Sequence, residues 1–178
     1  SKGIRTKISK WRRMSGDSFI PQSKANGQYL NSVLAKVESH EAGYDEAILL
    51  DVDDNVCEGS GENVFVVKDG TLITPPLSAP ILEGITRDSI MTIARDLDIE
   101  VVERDIPRDE LFEVDEFFLT GTAAEICPVR EVDDRAITDG CGEMTAVLQQ
   151  KYDDAVHGRL PQYHGWLDVV STEKPAQV

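Results

Sequence analysis

Asn63-Val64-Phe65-Val66-Val67-Lys68-Asp69-Gly70-Thr71-Leu72-Ile73-Thr74 is the stretch from which the fold can be read. Two runs rich in β-branched and aromatic residues flank Lys-Asp-Gly, a strong hairpin signal. Upstream, Val56-Cys57-Glu58 reads as another strand, set off by Gly59-Ser60-Gly61. Ala47-Ile48-Leu49-Leu50 is a short apolar run of strand length, and Ile4-Arg5-Thr6-Lys7-Ile8 alternates with the period of a half-buried strand. Between them the spacing predicts a helix over 28–42, with Leu30, Val33, Leu34 and Val37 sharing one face and Gly43 as its stop. Downstream, Pro75, Pro76 and Pro80 break regular structure, and a second helix is expected from near Thr86, with Ile90, Ile93, Ala94 and Leu97 on one face. Strand signals follow at Glu100–Val102, Glu116–Thr120 and Ile126–Val132, the last interrupted by Pro128. A final helix over about 142–156 would bury Met144, Val147, Leu148 and Tyr152 and end at Gly158. Interleaved helices and hairpins predict a mixed α/β (α+β) domain, not a doubly wound parallel sheet.

Composition narrows the function classes. The 178 residues are 40% hydrophobic and 29% charged, ordinary values for a globular chain. No apolar run approaches the ~18 residues that cross a bilayer, so a soluble protein without a membrane partner is expected, and the scattered cysteines add the cytoplasm as its compartment. A net charge of −15 argues against nucleic acid, which needs a positive face. Lys2, Arg5, Lys7, Lys10, Arg12 and Arg13 could form a basic arm, but the alternation from Ile4 to Ile8 favours a strand. The acidic excess suggests a salt-tolerant surface. Cys57, Cys127 and Cys141 are odd in number and scattered, a pattern of reduced thiols. His40, His157 and His164 lack partners at metal-ligand spacing, so no metal is expected.

Four segments are too polar or too glycine-rich for simple packing. They are Lys24-Ala25-Asn26-Gly27, Glu58-Gly59-Ser60-Gly61-Glu62-Asn63, Glu83-Gly84-Ile85-Thr86 and Thr120-Gly121-Thr122-Ala123-Ala124-Glu125. Each lies between regular elements, where functional groups concentrate. Gly59-x-Gly61 alone could open a dinucleotide fingerprint, but the third glycine is missing and a strand follows. Taken in order, with His164-Gly165-Trp166-Leu167-Asp168 closing the chain, the four segments resemble the fold-type IV pyridoxal-phosphate enzymes. Within that fold (the D-amino acid aminotransferase-like fold) they are most similar to the branched-chain aminotransferases. The similarity runs from about Ile8 to Val169.

The resemblance implies pyridoxal 5'-phosphate as cofactor and gives each segment a role. Lys24 would carry the cofactor covalently and move a proton at the substrate α-carbon. Glu58 would keep the ring nitrogen protonated, with Glu62 behind it. The amides of Ile85 and Thr86, with the Thr86 hydroxyl, would cradle the phosphate at a helix amino end. Thr86 could equally be a simple helix cap. Tyr29 would bond the phenolic oxygen, Leu82 would lie against the ring, and Thr122 and Ala123 would form the turn near phosphate and substrate carboxylate.

The implied reaction moves an amino group between leucine, isoleucine or valine and 2-oxoglutarate. D-amino acid aminotransferase, aminodeoxychorismate lyase and an inert cofactor-binding fragment are the alternatives. In the family the lysine follows a smaller amino-terminal domain, whereas here it stands at position 24. Residues 1–170 are therefore expected to be the large carboxyl-terminal domain, with 171–178 a tail and the small domain supplied from elsewhere. A dimer or larger homo-oligomer is also expected, since sites of this family lie near subunit interfaces.

Overall fold

The computed structural model describes residues 2–17 and 19–170. The expected tail at 171–178 lies outside them. The strands are β1 (Ile4–Ile8), β2 (Glu46–Leu50), β3 (Val56–Gly59), β4 (Asn63–Lys68), β5 (Thr71–Thr74), β6 (Val101–Glu103), β7 (Glu116–Gly121), β8 (Glu125–Val132) and β9 (Arg135–Ala136). The helices are α1 (Tyr29–Glu41), α2 (Ile85–Asp96) and α3 (Glu143–Val156). Sheet order is β3-β2-β1-β8-β7-β4-β5-β6, with β9 on β8. β1 is parallel to β2 and β8, and β5 to β6, while the other pairs are antiparallel. The sheet is mixed, as the element pattern requires. β3 also pairs with β4 through Glu58 opposite Asn63, so six strands form a closed circuit.

The hairpin that opened the reading forms as expected. Asp69 and Gly70 take φ of 50° and 78°, the twist that a tight two-residue connection needs. Alternation along β4 then splits two cores. Val64 and Val66 point to one side with Ile8, Ile48, Leu50, Phe117 and Leu119. Phe65 and Val67 point to the other, under Ile90, Ile93 and Ala94 of α2 and Leu148 of α3. The Phe65 and Phe118 rings stack at 5.2 Å. Glu116 ties α3 to this layer by accepting the Met144 and Thr145 amides (2.9 and 2.7 Å) and the Thr145 hydroxyl (2.6 Å). A carboxylate at a helix amino end is electrostatically favourable.

Two details, in α1 and in α3, depart from the sequence reading, while the amino-terminal stretch forms the expected strand. α1 turns Ser32, Ala35 and Ser39 to the sheet, where Ala35 meets Ala47 and Leu49. Small side chains let the helix lie close to β2, and Leu30, Val33, Leu34 and Val37 face outward, 38–67% exposed. In α3, Leu148 is buried, but Val147 is 47% exposed and Thr145 and Ala155 take the inner face instead. The basic amino-terminal stretch is no free arm: Arg5 pairs with Glu131 and Asp134, Lys7 with Asp133, Arg12 with Asp54 and Arg13 with Glu58. Among the described residues no helix is long and apolar enough to cross a membrane.

Candidate active site

The site grows from the seam where β3 meets β4. Glu58, the next-to-last residue of β3, is almost fully buried, and its Oε2 accepts the Leu82 amide at 2.8 Å. Across the pair, Asn63 Nδ2 donates to the Leu82 carbonyl at 2.8 Å. Both polar groups of one peptide position are thereby held, which fixes the segment leading into α2. Gly84 is the residue just before that helix. A Cβ there would lie 2.0 Å from Asn63 Oδ1, so glycine is required for space, not for an unusual φ.

α2 begins without a side-chain cap, and its first-turn amides have no acceptor within the helix. Thr86 is the second residue of the helix, not its cap. Arg87 pins this turn from below, donating to Thr74 Oγ1 (3.3 Å), the Pro75 carbonyl (2.8 Å) and Glu103 (2.8 Å). Thr74 Oγ1 in turn donates to the Val64 carbonyl of β4 (2.8 Å).

On the opposite flank, the chain leaves β1 and passes Arg13, whose amide donates to the Leu50 carbonyl at 2.8 Å. Arg13 is 7% exposed, and its Nε lies 2.7 Å from Glu58 Oε1. That N–H is not aimed along a hydrogen bond, and Nη1 is buried with no partner. Burial pushes the Glu58 carboxyl up to about 7, against the pull of Arg13 and the Leu82 amide, with Glu62 adding to the rise. Farther on, Gln28 Nε2 donates to the Ile20 carbonyl (2.6 Å) and so holds the segment bearing Lys24.

These elements enclose a cleft of about 330 Å³. Lys24, Tyr29, Glu58, Leu82, Ile85, Thr86 and Thr122 all line it. Ala123 does not; it is exposed in the turn one residue beyond Thr122. Arg13, Asn63 and Thr120 also line the cleft and carried no role in the sequence reading. Asn63 and Gly84 lay inside the quoted motifs, whereas Arg13 gave no signal beyond membership of a basic run. Thr120 Oγ1, like Arg13 Nη1, is buried without a partner. Lys24 and Tyr29 remain exposed.

A family profile described as Amino-transferase class IV matches residues 1–132. The chain belongs to the class IV aminotransferases. Among curated relatives in this class, a probable branched-chain-amino-acid aminotransferase of Aquifex aeolicus is 51% identical over 172 residues, 96% of this chain and 55% of that one. The branched-chain-amino-acid aminotransferase of Escherichia coli K12 is 44% identical over 170 residues, 95% of this chain and 55% of that one. Among solved class IV structures, the branched-chain aminotransferase of Thermoproteus uzoniensis with norvaline superposes at a TM-score of 0.91 with 45% identity, covering 94% of this chain and 56% of that one. A T.th. branched-chain amino acid aminotransferase complexed with N-(5'-phosphopyridoxyl)-L-glutamate gives 0.91 and 46%, with the same coverage. The chain thus spans about half the length of the class IV relatives it matches.

Proposed function

We propose that this chain is the cofactor-binding part of a transaminase acting between branched-chain L-amino acids and 2-oxoglutarate, with pyridoxal 5'-phosphate as cofactor. The observation that carries the reading is the convergence of Lys24, Glu58, the open amino end of α2 and Thr122 on one cleft. The residues present suit that cofactor. Two buried polar side-chain atoms at the cleft wall, Arg13 Nη1 and Thr120 Oγ1, lack partners, and the first-turn amides of α2 favour an anionic group. When bound, the cofactor supplies an electron-accepting ring conjugated to the substrate nitrogen.

The protein's residues do the rest. Lys24 Nζ bonds the cofactor and later carries a proton to and from the substrate α-carbon. Glu58 would keep the ring nitrogen protonated, with Arg13 beside it to favour the carboxylate. The amides of Ile85 and Thr86 and the Thr86 hydroxyl bind the phosphate. Leu82 would pack against the ring, Tyr29 would meet its phenolic oxygen, and Thr122, without Ala123, would orient the substrate carboxylate. We place residues 1–170 in one domain and infer that a further domain closes the exposed side of Lys24. The outward apolar face of α1 supports contact with that domain or with a second copy in a homo-oligomer. Its three free cysteines, Cys57, Cys127 and Cys141, suit the cytoplasm.

The exposure of Lys24 and Tyr29 favours a second reading, in which the 178 residues alone bind cofactor weakly and turn nothing over. One experiment addresses both. Borohydride treatment with pyridoxal phosphate, followed by peptide mass mapping, should place the adduct on Lys24. Lys36 and Lys68 are engaged with Glu46 and with Glu110 and Glu113, and a dominant adduct on either would overturn the assignment. Turnover of leucine with 2-oxoglutarate should be negligible for the chain alone and appear when the remaining length of a relative is fused upstream.

A further inference from the structure

Among the described residues five threonines are almost fully buried: Thr6, Thr74, Thr86, Thr120 and Thr145. Thr6 Oγ1 donates to the Glu131 carbonyl (3.1 Å), Thr74 Oγ1 to the Val64 carbonyl (2.8 Å) and Thr145 Oγ1 to Glu116 (2.6 Å). Thr86 lines the cleft at the start of α2. Thr120 lines the same cleft, is 1% exposed, and its Oγ1 has no hydrogen-bond partner. A buried hydroxyl without a bond calls for an explanation.

Strand alternation sets where Thr120 points. On β7, Phe117 and Leu119 belong to one core and Phe118 to the other, under α2. Thr120 follows Phe118 by two residues and so faces the α2 side. Its register partner in β4 is Asn63, which shares that side with Phe65. Asn63 in turn bonds the Leu82 carbonyl and abuts Gly84, where an added Cβ would lie 2.0 Å from its Oδ1. One strand pair thus brings Thr120 to the floor of the cleft beside the amino end of α2. Two residues farther on, the chain reaches Thr122 on the same wall.

Valine has nearly the shape of threonine and suits a strand at least as well; it fills three positions of the neighbouring β4, Val64, Val66 and Val67. At position 120 it would also remove the cost of an unbonded hydroxyl, so packing alone favours valine there. A ligand in the cleft reverses that preference if it brings an acceptor. The first-turn amides of α2 are donors that favour an anion, and a phosphate held by them has oxygens to spare. We propose that Thr120 is a further binding residue of the cleft, donating its hydroxyl to a phosphate oxygen held at the amino end of α2. The inference rests on the function proposed above for the source of that phosphate, the cofactor. The unbonded hydroxyl and its place beside Asn63 stand without it.

The test uses the 178-residue chain, T120V and T120S, with inorganic phosphate, pyridoxal 5'-phosphate and pyridoxal as probes. Phosphate titrations followed at the Ile85 and Thr86 amide resonances should leave T120S close to wild type. T120V should bind roughly tenfold more weakly or worse, the scale of one hydrogen bond to a charged group. Pyridoxal 5'-phosphate, followed by its absorbance, should give the same ranking, whereas pyridoxal should bind all three alike. Without any ligand T120V should melt roughly 2–6 °C above wild type, because an unbonded buried hydroxyl is gone. Opposite signs for stability and binding separate a ligand contact from a structural one. A lower melting temperature for T120V would overturn the proposal, as would wild-type binding of both phosphates by T120V; the proposed function survives either result. Equal weakening of pyridoxal would assign the hydroxyl to the ring and overturn it too. A loss confined to inorganic phosphate would assign the site to the free ion and break the link to the cofactor. Wild type that binds neither phosphate would overturn the proposed function along with it.

Discussion

Arg13 and Glu58 meet as a buried ion pair, 2.7 Å from Nε to Oε1, with both side chains 7% exposed. Glu58 stands in β3, whereas Arg13 lies in the chain beyond β1, outside any regular element. Arg13 is placed by its amide bond to Leu50 at the end of β2, and Glu58 by its register opposite Leu49. The pair makes Glu58 a group whose charge depends on a partner that lies outside every motif quoted above.

Substituting Arg13→Met should therefore cost stability in a pH-dependent way. Glu58 has a folded-state value of about 7 against an ordinary 4.5. Its stability contribution is complete below the ordinary value and lost as pH rises through the folded one. Without Arg13 the folded value climbs further, so the loss continues to higher pH. Breaking a buried pair costs about 3–5 kcal/mol when the remaining charge cannot escape. At pH 6 the carboxyl escapes by holding its proton, so the penalty should be clearly smaller there than at pH 9. Denaturant unfolding of both proteins at the two pH values measures this, and equal penalties would show that Arg13 does not govern the Glu58 charge.

Glu58→Gln tests the other partner. Gln can still accept the Leu82 amide, so the segment before α2 should stay in place and cofactor should still bind. In a fusion carrying the upstream length of a relative, the proposed transamination should slow roughly 100-fold or more, the scale of removing one preorganised electrostatic group. A rate within about twofold of wild type would mean that another residue serves the ring nitrogen.

Gly84→Ala should be damaging although Gly84 has ordinary φ and ψ of −76° and 132°. The added methyl would lie 2.0 Å from Asn63 Oδ1, so Asn63 must release the Leu82 carbonyl or α2 must shift. Overpacking of this kind costs about 1–3 kcal/mol. The loss should be smaller in Asn63→Ala/Gly84→Ala than the two single losses combined, because the first change removes the clash. Full additivity in that cycle would separate the two residues.

Much of this fold and site was legible before the structure. The Lys-Asp-Gly hairpin, the strand over Glu116–Thr120 and the order of the glycine-rich segments all carry local signals, and seven of the named residues share one cleft. What escaped was set by contacts distant in sequence. Arg13 acquires its place only when β1, β2 and β3 assemble. The inner face of α1 is small and polar, so periodicity located the helix yet pointed to its outward side. Ala123 misses the cleft because β7 ends at Gly121 and carries the chain out of the wall after Thr122.

Salt should stabilise the chain. Acids outnumber bases 33 to 18, so screening removes more repulsion than attraction. The exposed ion pairs, such as Arg159 with Asp153 and Asp154, are worth little individually. Between ~0.1 and ~1 M salt the screening length shrinks from about 10 to 3 Å. The melting temperature should rise across that range in potassium chloride; a steady fall would mean that the ion pairs outweigh the net charge.

The two faces of α1 should respond oppositely to substitution. Leu30 and Val37 are 67% and 49% exposed, so Leu30→Lys and Val37→Lys should change the stability of this chain by no more than about 0.5 kcal/mol. Ala35 is fully buried against Ala47 and Leu49, and Ala35→Leu would force the helix off β2 at a cost of about 1–3 kcal/mol. An ordinary amphipathic helix gives the reverse ranking, because its large apolar residues form the core. Unfolding midpoints of the three variants decide between the two. If Val37→Lys proved as costly as Ala35→Leu, α1 would be packed the other way round. If the proposed further domain or second copy packs on α1, joining it should make the lysine variants the costly ones, since a charge would then be buried without a partner. The same substitutions, harmless here and harmful there, would locate the cover.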